Sequence, residues 1–110
     1  MNNDIILKLQ ENLKLLDIYG CLLTDKQQDI FRYVYEDDLS FSEIAENLNI
    51  SKAAVSDTIK RTTAILNEYE SKLKIIEKQE KREVLYEKLK NMPENIDEII
   101  RELHKIDEDM

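Results

Sequence analysis

A chain of 110 residues that holds one glycine and one proline has almost nothing with which to turn sharply. Hairpins, barrels and phosphate-cradling loops all draw on those two residues. Their scarcity, with lysine, glutamate, leucine and isoleucine abundant, predicts an all-α fold of amphipathic helices almost from end to end. At 42% apolar and 36% charged residues the chain can bury a modest core, enough for one domain or one domain with a helical extension. The longest apolar run, IYGCLL at 18–23, falls far short of the roughly 18 residues that a membrane-spanning helix needs. The N-terminal MNNDIILKLQ lacks the basic start and small-residue cleavage site of a secretory signal, so the cytoplasm is the expected compartment.

Helix one is expected from about Asp4 to Tyr19, with Ile6, Leu9, Leu13 and Leu16 on one stripe and Gly20 as its stop. Cys21 stands alone beside Leu22 and Leu23. It is read as a core residue, and a lone cysteine forms neither an intramolecular disulfide nor a zinc cluster. Helix two opens at Thr24, where Gln27 completes a capping box, and its apolar side is Ile30, Phe31, Val34 and Tyr35. The acidic Glu36-Asp37-Asp38 then breaks the pattern as a solvated turn. Its three adjacent acids lack the spacing and glycine of a calcium loop.

A second capping box, Ser40 with Glu43, opens helix three, and Leu39 and Ile44 are spaced as a hydrophobic staple. The helix should end near Leu48. Asn49 then tolerates a left-handed backbone, Ser51 caps helix four, and Ile50 and Val55 form the next staple. Two short helices, a tight turn, and the small Ala45 between Ile44 and Leu48 make a helix-turn-helix over residues 41–61. In that motif the first helix braces the second, and a small residue lets their backbones approach. The second helix would present Ser51, Lys52, Ala53, Ser56, Asp57, Lys60 and Arg61 to duplex DNA.

No glycine or proline interrupts the chain from there to Pro93, so one long helix, or two nearly collinear ones, is expected to reach about Asn91. EKQEKRE at 77–83 has no apolar residue and must be either solvated on all sides or a break. Leu66, Tyr69, Leu73 and Ile76 form a stripe that either packs on helix one or makes a short dimer seam. It spans only about two and a half heptads, below the three to four of a coiled coil. A last helix, from Pro93 or Asn95 to Ile106, carries Ile96, Ile99, Ile100, Leu103 and Ile106. Tyr33, Tyr35, Tyr69 and Tyr86 fall on helical positions and read as core or interface residues.

LLTDKQ, YVYEDDLSFSEIAENLNIS, AVSDTIKRT and YESKL resemble a family of small cytoplasmic proteins of Gram-positive bacteria and their relatives, encoded beside signal recognition particle genes. The resemblance covers residues 5 to about 75, and beyond them only helical character is shared. It implies a fold similar to the sigma-factor region that reads the −35 promoter element. The chain is expected to form a three- to four-helix core over residues 1–70 and a helical extension over 71–110, whose apolar stripes, if spare, serve dimerisation or partner docking. The resemblance also implies a regulator tied to the signal recognition particle pathway. The family commonly has Arg-Gln where this chain has Lys52-Ala53, and tyrosine in place of Ser56. Lysine still meets guanine, whereas Ala53 offers only an apolar touch to a thymine methyl, so base readout is reduced more than DNA contact.

The formal net charge of −8 opposes a polyanion, but its distribution does not. Residues 1–50 carry 4 basic and 10 acidic side chains, a balance of −6; residues 51–82 carry 8 and 5, a balance of +3; residues 83–110 carry 4 and 9, a balance of −5. The one basic third starts at the recognition helix. Lys52 and Lys60 are the expected chief contacts, Arg61 a phosphate clamp and Ser51 both cap and phosphate donor, while Asp57 opposes phosphate. The alternative is an adaptor that keeps the motif as scaffold and binds a protein, or the RNA, of the targeting machinery; the acidic first half suits a basic partner. One histidine, His104, and one distant cysteine make no metal site and no nucleophile–base pair, so no cofactor and no enzyme are expected.

Overall fold

Four-residue signals set most of the helix ends. The computed structural model of the protein describes residues 3–91 and 96–108. Its helices are α1 (Asn3–Tyr19), α2 (Asp25–Tyr35), α3 (Phe41–Leu48), α4 (Lys52–Leu73), α5 (Ile75–Asn91) and α6 (Ile96–Glu108), with a 3-10 turn at Gly20–Leu22. No strand occurs among the described residues. The expected start of the last helix at Pro93 or Asn95 lies outside them. The chain divides into two compact units, Met1–Lys72 and Leu73–Met110.

In the first unit Leu15, Leu16 and Tyr19 of α1, Ile30 and Phe31 of α2, Ile44 of α3 and Val55, Ile59 and Leu66 of α4 are buried. The capping box at Thr24 is present: its hydroxyl accepts from the Gln27 amide at 3.2 Å, and the Gln27 side chain accepts from the Thr24 amide at 3.1 Å. Asp38 follows α2 with φ at 56°, a left-handed conformation that aspartate tolerates better than most residues. The ring of Phe31 lies against Tyr35 at 4.5 Å between centroids. Tyr35 in turn hydrogen-bonds Thr63 of α4; burial pushes its phenol up and that bond pulls it partly back.

The stripe expected on helix one is corrected. α1 buries Asn12, Leu15, Leu16 and Tyr19, while Ile6 and Leu9 are 37% and 39% exposed. Residues 3–11 are all exposed, so the buried side chains of α1 lie in its second half. Tyr19 anchors that half: its hydroxyl donates to Glu70 Oε1 and its ring stacks on Tyr69 at 6.0 Å. The Leu66–Tyr69 portion of the α4 stripe is therefore packed within the chain. Gly20 is buried in the 3-10 turn, where an added Cβ would sit 3.1 Å from Leu16 Cδ1. Close approach, not a positive φ, is what calls for glycine there. Cys21, expected in the core, is exposed. The three-residue period of a 3-10 turn puts Gly20 and Leu23 inward and turns Cys21 and Leu22 out.

In the second unit the boundary before α5 is Lys74, left-handed at φ 55°, so of the one or two helices expected over this stretch there are two. Nor is EKQEKRE either a break or solvated on all sides. It lies within α5, and Lys78 is only 7% exposed. Lys78, Arg82 and Leu85 share one side of α5 at spacings of four and three, and the Arg82 guanidinium donates to Asp107 of α6. A long basic side chain can thus lie on the buried side of a helix while its head reaches a carboxylate, as Arg82 does.

Two outcomes follow from these contacts. The hydroxyls of Thr58 and Thr63 donate to the carbonyls of Ala54 and Ile59 at 2.9 and 2.8 Å, but the buried Thr62 hydroxyl has no partner. Thr62→Val removes an unmet polar group at nearly constant shape and should stabilise the chain by about 1 kcal/mol, a rise of roughly 4–8 °C in Tm. A lower Tm in a thermal melt would refute this. The hydrogen bond from Arg82, aided by the charges of Arg82, His104 and Lys78, holds the Asp107 carboxyl below its ordinary range against an opposing effect of desolvation. A depressed carboxylate contributes stability above its unfolded pKa and loses it as pH falls through the folded one. Amide protection of α6 should therefore persist to below the usual carboxylate range, and Asp107→Asn should lower it at neutral pH and flatten that acid response.

Candidate nucleic-acid interface

Local bonds fix the frame of the motif. Ser40 Oγ accepts from the Glu43 amide at 3.1 Å and the Glu43 carboxylate accepts from the Ser40 amide at 3.2 Å, which starts α3. Its end is closed at Asn49, with φ 56° and ψ 46°. The Ile50 amide donates to the Ala45 carbonyl at 3.0 Å and the Asn49 amide to the Glu46 carbonyl at 3.4 Å. That pair of bonds is a Schellman motif built on asparagine in place of glycine. Ser51 Oγ then accepts from the Ala54 amide at 3.0 Å and starts α4. The chain thus passes from α3 to α4 through residues 49–51 alone.

Burial orients α4. Val55, Ile59, Thr62 and Leu66 face the core. A 3.6-residue turn then puts Ala53, Asp57, Lys60 and Ala64 on the opposite side, all exposed. Of the residues expected at the interface, Ser51, Lys52, Ala53, Asp57, Lys60 and Arg61 are exposed and Ser56 is half-buried. The Ser51 hydroxyl already accepts a hydrogen bond as the helix cap, with its own proton left for an acceptor outside. Arg61 Nε lies 3.0 Å from Asp57 Oδ2. This pairing was legible as an i,i+4 spacing of opposite charges. Its consequence is that Arg61 is not a free clamp, so Lys60 carries the positive charge of this side, with Lys52 exposed in the first turn of α4.

Sequence reasoning missed the continuation of the same side through Ala64 and Asn67, the latter amide donating to the Thr63 carbonyl at 2.9 Å. The helical period alone would have found them. It also missed a hollow of about 340 Å³ beside the turn, lined by Lys26, Asp29, Ile30, Leu48 and Ile50. That space exists only because α2 meets the motif, and no pattern within either segment announces it. Among the described residues no group of three His, Cys, Asp or Glu could hold a metal ion. No described helix is long and apolar enough to cross a membrane.

The family described as "Putative helix-turn-helix protein, YlxM / p13 like" matches residues 6–106. Proteins named UPF0122 are similar across several bacteria. One from Staphylococcus epidermidis is 39% identical over 108 residues, 96% of this chain and 97% of that protein. One from Shouchella clausii is 49% identical over 76 residues, 69% of this chain and 70% of its own. One from Bacillus thuringiensis is 43% identical over 92 residues, 84% of each.

Because Ser51 supplies the side-chain acceptor at the start of α4, Ser51→Ala should cost about 1 kcal/mol, and Ser51→Asp should restore it. Chemical denaturation of the three proteins measures this. Equal stability of wild type and Ser51→Ala would show that the cap contributes nothing.

Proposed function

Since the chain belongs to the UPF0122 family of YlxM/p13-like helix-turn-helix proteins, we propose that it is a regulatory protein that contacts duplex DNA through α4. One observation carries this reading: α4 starts at a locally locked turn, holds Ala53 and Lys60 exposed on the side away from its buried residues, and leaves Lys52 exposed in its first turn. A helix so held enters a major groove with its N-terminal turns toward the base edges. Lys52 and Lys60 approach phosphate or guanine, Ser51 a phosphate, and Ala53 offers at most an apolar contact. Asp57 both repels phosphate and holds Arg61, so affinity is weak and reading of sequence slight. A role tied to protein targeting through the signal recognition particle, in the cytoplasm, is part of this proposal and rests on the resemblance of LLTDKQ, YVYEDDLSFSEIAENLNIS, AVSDTIKRT and YESKL alone.

A second reading, an adaptor for a basic partner of that machinery, is favoured by the balance of −6 carried by 4 basic and 10 acidic side chains in residues 1–50. The two readings separate on the basic side of α4.

The test is enrichment of duplexes from a randomised pool at low salt, with the wild type beside a Lys52→Glu, Lys60→Glu, Arg61→Glu variant. DNA binding predicts retention by the wild type that falls steeply with salt, by about 0.9 in the log–log slope for each phosphate neutralised, and none by the variant. Asp57→Asn should release Arg61 and steepen the slope by up to about 0.9. No retention by the wild type would sink the DNA reading. An intact cellular function in the triple variant would move the interface to the acidic half.

A further inference from the structure

The second unit, Leu73–Met110, carries a surface that the DNA reading does not use. Only Lys78, Leu85 and Ile99 are buried among its described residues. A segment of under about 40 residues seldom encloses a core of its own. Along one flank α5 and α6 leave a groove of about 350 Å³ lined by Lys81, Val84, Leu85, Glu102, Lys105 and Ile106. Val84 at its edge is 58% exposed. We propose that this groove seats the same groove of a second copy, so that two α5–α6 hairpins form a twofold four-helix bundle.

Self-complementarity carries the assignment. A twofold interface needs each patch to hold both halves of every pair. Here an apolar strip of Val84, Leu85 and Ile106 is rimmed by two cations, Lys81 and Lys105, and one anion, Glu102. Glu102 stands at the middle of α6 and Lys81 close to the middle of α5. A twofold axis along the groove lays α6 over the α5 of the other copy and sets Glu102 against the cationic rim of the partner groove. Lys81 has only a long contact with Glu77, 3.7 Å and exposed at both ends, which does little to hold it back. The size also suits a dimer. A face about 25 Å long and two helices of about 10 Å wide presents on the order of 500 Å² in projection. Its accessible surface is larger and approaches the ~800 Å² per partner of a stable interface.

Sedimentation equilibrium of the full chain, across micromolar to near-millimolar concentration, tests this without any DNA. The wild type should be dimeric. Val84→Lys, Glu102→Lys, and the pair Lys81→Glu with Lys105→Glu should each weaken self-association at least tenfold while leaving the helical circular dichroism unchanged. Mixing the Glu102→Lys protein with the Lys81→Glu, Lys105→Glu protein should restore a dimer, because each reversed charge then meets its opposite on both sides of the axis. A wild type that stays monomeric throughout would overturn the proposal and leave the groove to a helix of another protein. A dimer indifferent to the charge swap would overturn it equally, by placing the interface elsewhere.

Discussion

The peptide group's need for a hydrogen-bond partner at every helix end governs this molecule, because the chain meets it almost without glycine. Three residues that are not glycine, Asp38, Asn49 and Lys74, take a left-handed backbone, and each stands at a helix boundary. Such a conformation costs a side chain of ordinary shape roughly 1–2 kcal/mol. Asparagine and aspartate reduce that cost by local hydrogen bonding, which the long side chain of Lys74 does not supply. Capping boxes at Thr24 and Ser40 and the serine cap at Ser51 satisfy the opposite ends. The helices consequently begin and end at fixed residues, and the turn at 49–51 has no slack.

That fixed turn matters because α4 has two tasks on opposite sides. Inward, Val55, Ile59, Thr62 and Leu66 hold it in the first unit, and Tyr69 meets Tyr19 of α1. Outward, Ala53, Asp57 and Lys60 face solvent. The inward contacts are apolar, aromatic or hydrogen-bonded at both partners, with the Thr62 hydroxyl as the exception. A helix held this firmly on one side presents the other with little freedom, which is what recognition of a groove demands.

Charge is arranged with similar economy. The excess of acid lies outside residues 51–82, so long-range attraction to a polyanion is poor, while the segment that opens with α4 keeps a balance of +3. Within it the Asp57–Arg61 pair ties up one of the cations. In the hairpin the same chemistry is structural: Lys78 and Arg82, which composition alone assigns to solvent, lie on the contact side of α5 with Arg82 bound to Asp107.

Everything decided within four or five residues was readable in the sequence. The capping boxes, the end of α3 at Leu48, the left-handed Asn49 and the exposure of Lys52 and Lys60 depend on hydrogen bonds and periodicity inside one turn of helix, and a one-dimensional string records those. The tertiary structure decided what depends on where another helix lies. Burial confined to the second half of α1 left Ile6 and Leu9 exposed and enclosed Asn12. The 3-10 turn put Cys21 outside, α6 drew Lys78 and Arg82 inward, and Lys74 became a boundary with no breaker residue to mark it. A helix has many sides that its own sequence permits it to bury, and only the neighbour that arrives selects one.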